Sequence, residues 1–173
     1  MRATIHTVGH STRSTDEFVH ILKSHGVAQL IDIRTIPKSA RNPQFGQEAL
    51  RTSLNAAGIR YTHLPGLGGL RKPRPDSINT GWRNTSFRGY ADYMQTADFD
   101  AGLQRLIKLA RSKRTAIMCA EAVPWRCHRS LIGDALTVRG IRVEDIMSGK
   151  TARVHALTSF ARVRRNAITY PAS

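Results

Sequence analysis

The sequence predicts an α/β fold, a doubly wound and mainly parallel sheet of five strands with helices on both faces. Short apolar runs alternate with segments whose apolar residues recur at helical spacing, which is the signature of strand–helix–strand units with right-handed crossovers. The polar residues of chemical interest fall repeatedly just after the apolar runs, where open parallel sheets bind ligands. The chain has 173 residues, 40% of them hydrophobic, enough for one well-buried core and short for two. Residues 1–163 therefore read as a single domain with an irregular insertion at 65–96, and 164–173 as a basic tail that is a candidate for disorder.

Ala3 to Val8 is the first strand. Ser14-Thr15-Asp16-Glu17 is a capping box, and Phe18, Ile21, Leu22 and His25 follow at helical spacing until Gly26 ends the helix. Gln29 to Ile33 is apolar enough for a central strand. Beyond the polar loop Thr35 to Phe45, Leu50 and Leu54 share one face of a second helix that Gly58 stops, and Ile59 to Leu64 is the third strand. Residues 65–96 are rich in Gly, Pro, Arg and Asn, with Trp82, Phe87, Tyr90 and Tyr93 set among Arg71, Lys72, Arg74, Arg83 and Arg88. A third helix begins near Asp98 or Asp100 and aligns Leu103, Leu106, Ile107 and Ala110. Thr115 to Met118 is a buried strand, Ser130 opens a helix that ends near Gly140, Ile141 to Ile146 is the fifth strand, and a last helix is expected from about Ala152 to Val163.

Both cysteines of the chain lie in one segment, Cys119-Ala120-Glu121-Ala122-Val123-Pro124-Trp125-Arg126-Cys127-His128-Arg129, between a strand and a helix. Cys127 falls at or just before the helix N-terminus, where the dipole and the flanking Arg126, His128 and Arg129 favour a nucleophilic thiolate. Cys119, at a strand end, reads equally as a small buried hydrophobe. Glu121 among His10, His63 and His128 suits a general base, or a nucleophile toward a sugar carbon; pairing with Arg34, Arg126 or Arg129 is the structural alternative. Arg34 with Lys38 and Arg41 forms a candidate phosphate clamp beside His10 and Ser11. His63-Leu64-Pro65-Gly66-Leu67-Gly68-Gly69 leads into a glycine-rich turn where Gly68 and Gly69 would let backbone approach a phosphate, without the Lys-Ser or Lys-Thr of a nucleotide-binding loop. Tyr90 belongs to the aromatic and basic insertion, which suits base stacking and equally suits a lid packed on the sheet. No cofactor is expected. Zinc on Cys119, Cys127 and His128, completed by His63 or His10, is the weaker reading because the chain has no close cysteine pair.

Lys and Arg number 27 against 12 acidic residues, a formal charge of +15, which points to a polyanionic partner, nucleic acid or nucleotide. Met1 to His10 lacks the apolar core and cleavage site of a signal peptide, and no apolar run is long enough to span a membrane. A cytoplasmic location is expected, where two cysteines stay reduced.

Taken together, Thr7-Val8-Gly9-His10-Ser11, Asp32-Ile33-Arg34, Pro37 with Asn42-Pro43-Gln44-Phe45, the His63 to Gly69 segment and Cys119-Ala120-Glu121 with Cys127-His128-Arg129 resemble the bacterial and archaeal family catalogued as domain of unknown function 488. The resemblance covers nearly the whole chain and implies a fold but no reaction. Leu30 to Arg34 and Ile117 to Leu131 are also similar, at the level of fold, to rhodanese-type domains. Those keep an uninterrupted anion-binding loop from Cys to Arg, whereas here six residues separate Cys119 from Arg126 and Glu121 lies among them.

Two functions are expected from these residues. One is an enzyme acting on a nucleotide or nucleic acid at a strand-end pocket, as a thiol-dependent transferase or hydrolase or a Glu-dependent nucleosidic-bond hydrolase. Cys127 or Cys119 would be its nucleophile, Glu121 and His128 its proton carriers, and Arg34, Arg126 and Arg129 its phosphate ligands. The other is a non-catalytic nucleic-acid binding protein whose cysteine loop is structural or redox-sensing.

Overall fold

Strand alternation sorts the apolar side chains into two cores, and a computed structural model describing residues 3–173 shows how. Residues 1 and 2 of the expected domain lie outside the described residues. The strands are β1 (Thr4–Gly9), β2 (Gln29–Asp32), β3 (Arg60–His63), β4 (Thr115–Cys119), β5 (Arg142–Ile146) and β6 (Ala152–Val154), in the spatial order β3-β2-β4-β1-β5-β6. Leu30, Ala116 and Met118 bury against Phe18 and Leu22 of α1 (Thr15–Ser24) and Leu50 and Leu54 of α2 (Gln47–Ala56). Ile31, Ile117 and Cys119 bury into the other core, with Tyr90 of α3 (Thr85–Tyr93), Leu103 of α4 (Ala97–Ala110) and Leu131 of α5 (Arg129–Val138).

This strand order positions the site. β4 lies between β1 and β2 in parallel register, pairing Cys119 with Gly9 and Met118 with Asp32, so three strand ends meet. The pairing continues past the strands: His10 N donates to Cys119 O at 3.0 Å, Ser11 N to Ala120 O at 2.9 Å and Ile33 N to Met118 O at 3.0 Å.

Local signals explain most element ends. Ser14 Oγ accepts from Glu17 N at 3.1 Å to cap α1, and Gly26, at φ 70°, turns the chain out of it in a conformation that costs glycine little. Asn84 Oδ1 caps α3 by accepting from Ser86 N and Phe87 N. That helix lies inside the segment expected to be irregular.

Three expectations are corrected. The sheet has six strands, not five; it is mainly parallel as expected, and the added strand β6 pairs antiparallel with β5. The helix expected over about 152–163 is absent. Arg153 and Val154 pair with Asp145 and Glu144, then His155 turns inward to Asp134 and Asp145, so tertiary contacts override local propensity. The basic tail carries structure: β7 (Arg162–Arg164) and β8 (Ala167–Thr169) form a hairpin, and Tyr170 is buried with its hydroxyl donating to Asp134 Oδ2 at 2.8 Å. Tyr170 packs beside Trp82 and Phe160, which supplies the apolar anchor. Among the described residues no helix is long and apolar enough to cross a membrane.

Candidate active site

The floor of the site is made where β4 ends and α5 begins. Both thiols are reduced and buried, with Cys127 Sγ 2.7 Å from Cys119 Sγ. Arg129, on the first turn of α5, has no exposed surface and donates from Nη1 to Cys119 Sγ at 2.8 Å. Its remaining donors go to the carbonyls of Glu121 and Ala122 and, from Nε, to Thr7 Oγ1. Burial pushes the Cys119 thiol up, but the hydrogen bond from Cys127 and the charge and hydrogen bond of Arg129 outweigh it and bring the group down to about 7. The same hydrogen bond, donated by Cys127 to Cys119, pushes Cys127 well above the ordinary thiol value, and burial adds to this. The thiolate therefore belongs on Cys119, reversing the assignment expected from helix position. The helix start acts through Arg129 on the neighbouring sulfur.

Arg129 is itself held by a buried chain of contacts. Thr7 Oγ1 donates to Asp145 Oδ1, Asp145 Oδ2 lies 3.5 Å from His155 Nδ1, and His155 Nε2 lies 2.8 Å from Asp134 Oδ1. Burial pushes His155 down, yet hydrogen bonds and charge from Asp134 and Asp145 raise it to about 9. A cationic imidazole thus joins two carboxylates, and one of them, Asp145, connects through Thr7 to the guanidinium that holds the Cys119 sulfur.

Arg34 is fixed by Asp32. Its Nε and Nη2 donate to the two carboxylate oxygens at 3.0 and 2.8 Å, and Tyr61 Oη donates to Asp32 Oδ2 at 2.6 Å. This leaves Arg34 Nη1 buried without a partner at the wall of the cleft. His10 stacks on Phe45 at 4.3 Å and donates from Nδ1 to Ser11 O, so its buried Nε2 is a bare acceptor without a partner. Burial lowers its pKa, only partly opposed by Ser11 O, and Arg34 and Arg13 lower it further, so His10 is neutral. Burial likewise lowers His128 to about 4, against opposition from backbone groups of Ile33 and Leu67, so this ring is neutral as well.

The sequence-predicted residues sort into three places. Cys119, Glu121, Cys127, His128, Arg34, Lys38, Gly69, Arg126 and Tyr90 line one open cleft of about 380 Å³. His10, Ser11 and Arg41 line an adjoining hollow of about 410 Å³, which shares Ala120 and Glu121 with the first. Arg129, His63 and Gly68 line neither. Arg129 is spent on Cys119 and the loop carbonyls, so it is corrected from phosphate ligand to support of the thiolate. His63 is hydrogen-bonded through Nε2 to Arg34 O at 2.7 Å, and Gly68 is buried against Thr35, where a Cβ would overlap backbone. Both shape the loop from behind. Tyr90 contributes only its ring, since its hydroxyl donates to Leu67 O at 2.8 Å. The Glu121 carboxylate stands exposed at the mouth without an ion-pair partner among the described residues. No group of three His, Cys, Asp or Glu side chains converges in metal-ligating geometry among the described residues.

Sequence reasoning missed Thr7, Asp134, Asp145 and His155, which reach the cysteines only through the fold. One of them left a trace, because Asp134 interrupts an apolar helix face, where a charge requires a partner. It also missed Gly9. A Cβ there would overlap the Glu121 carbonyl, so glycine allows the cysteine loop to lie on β1.

Compared with known proteins, residues 14–136 match the family described as Domain of unknown function DUF488. No curated protein and no solved structure matches the chain.

Proposed function

The chain belongs to the DUF488 family, and because that description assigns no reaction, we propose from the cleft itself that the protein is a thiol-dependent transferase or hydrolase acting on a nucleotide or nucleic acid. One observation carries the reading: the Cys119 sulfur takes hydrogen bonds from a fully buried arginine and from Cys127, an arrangement that lowers its pKa, at the floor of a cleft open to solvent. Cys119 Sγ attacks the electrophilic centre of the bound substrate, and the leaving group departs toward the mouth. Glu121, exposed there, activates the water or acceptor that releases the covalent intermediate. Neutral His128, beside Cys127, bounds the thiols on the apolar side.

The walls support a nucleotide as the substrate class. Phe87 and the exposed Ile36 and Leu70 offer apolar surface, while Lys38, Arg126 and the free Nη1 of Arg34 offer positive donors for phosphate. Six residues between Cys119 and Arg126, with Glu121 among them, favour a substrate whose reacting centre is not itself a dianion.

The test is alkylation by iodoacetamide, read by peptide mass spectrometry from pH 5 to 10 with and without a mixture of nucleoside monophosphates. Cys119 should label with a midpoint near pH 7 and be protected by the nucleotides. A midpoint in the ordinary thiol range with no protection would sink the proposal.

The sulfur contact favours a second reading, that the cysteine loop is redox-sensing. It predicts reversible closure of a disulfide between the two sulfurs.

A further inference from the structure

The turn Pro124–Arg126 separates the thiol cleft from a third hollow, of about 240 Å³, lined by Trp82, Trp125, Arg153 and His155 among others. On the other side Glu121 separates the thiol cleft from the hollow that holds His10 and Arg41. Three hollows thus follow one another along a single loop, residues 120–130, with the thiolate under the middle one.

The groups along this path share a character. Lys38, Arg41, Arg126 and Arg153 are exposed and enter no ion pair among the described residues, against one unpaired carboxylate, Glu121. Large apolar groups lie open beside them: Trp125 is 57% exposed, Ile36 59% and Leu70 80%. The Arg153 guanidinium lies 5.4 Å from the Trp125 ring centroid, which braces the indole as a platform. Exposed indole and aliphatic surface interleaved with unpaired cations, on a chain of charge +15, suits a polyanion that also carries flat apolar faces.

We propose that this loop is the centre of a track for a single-stranded polynucleotide, with one base stacked on Trp125, flanking phosphates on Arg126 and Arg153 on one side and on Lys38 and Arg41 on the other, and the intervening nucleotide delivered into the thiol cleft. The inference rests on the reading of that cleft as the reactive site for what the strand delivers. A duplex does not fit, because its bases are stacked on one another and cannot reach an indole. A free nucleotide would use the middle hollow alone and leave Trp125 and Arg153 without a role.

The experiment is fluorescence anisotropy of the full chain with labelled oligothymidylate and oligouridylate of about twelve nucleotides, within the usual span of such sites. A duplex of equal length and heparin serve as controls. Trp125→Ala should weaken binding of the single strands about tenfold, while Trp125→Phe retains it. Arg126→Gln with Arg153→Gln should lower the slope of log affinity against log salt by about 1.4. Tighter binding of either single strand that depends on Trp125 supports the track, and the preferred sugar identifies the source.

Equal affinity for Trp125→Ala and the parent overturns it. So does heparin binding that depends equally on Trp125, since that would mark a general polyanion surface. Failure of the thiol chemistry is separate: Cys119 would then label as an ordinary thiol while strand binding still required Trp125.

Discussion

Arg129 Nη1 donates to Cys119 Sγ at 2.8 Å, so the residue that opens α5 joins Cys127 in lowering the pKa of the residue that closes β4, against the burial that raises it. The arginine is fully buried, and its charge is countered by the sulfur more closely than by any carboxylate. Removing either member therefore changes both the chemistry and the fold.

Arg129→Met should raise the midpoint of Cys119 alkylation from about 7 to above the ordinary thiol range and slow labelling at neutral pH at least about tenfold. It should also cost roughly 3 kcal/mol of stability, because the carbonyls of Glu121 and Ala122 lose their donor. Arg129→Lys preserves the charge and should move the midpoint less. Urea unfolding alongside the labelling curves separates the two effects.

Stability should fall as the solution becomes alkaline. His155 titrates near 9 in the folded protein against 6.5 in an ordinary environment, so its stabilisation is complete below about 6.5 and is lost as pH rises through about 9. The loss should be on the order of 3 kcal/mol. In thermal melts between pH 6 and 10, His155→Gln should start lower and show no such decline; a parallel decline would show that other groups carry it.

Asp32 is completely buried with Arg34 and Tyr61 on it. Asp32→Ala should destabilise the protein by about 3–5 kcal/mol because it strands a buried guanidinium. Tyr61→Phe removes one hydrogen bond to a charged group and should cost only about 1.5–3 kcal/mol. Chemical denaturation of the pair measures the difference.

Gly9→Ala should behave as a site mutation although residue 9 lines no cleft. The added methyl must displace the 121–122 backbone that receives Arg129, so thiolate character should weaken together with stability. Normal alkylation of a normally stable Gly9→Ala protein would contradict the contact.

Diamide, itself reduced to the hydrazine, should close a disulfide between Cys119 and Cys127 within one chain, lowering the mass by about two hydrogen atoms and removing both thiols from titration. The low-pKa sulfur is the attacking group and its neighbour is already in contact. Reduction should restore labelling of Cys119; failure to close would leave the redox-sensing reading without support.

Most of the parallel sheet was legible because Gln29 to Ile33 and Thr115 to Met118 are short, largely apolar runs between helical patterns, a purely local signal. The residues placed at strand ends, such as Arg34, Cys119 and Glu121, gather for the same reason, since parallel pairing brings their strands' ends together. What escaped was non-local. Val154 and His155 look helical in isolation, and only the free edge of β5 and the buried Asp134 and Asp145 make them otherwise. Which cysteine is ionised also depended on a guanidinium whose direction no spacing rule conveys.

The contacts running from His155 through Asp145 and Thr7 to Arg129 and Cys119 draw on residues near the beginning and far along the chain. During synthesis that circuit stays open until His155 has left the ribosome and β6 has docked. The brace behind Arg129 is thus the last part of the site to be assembled.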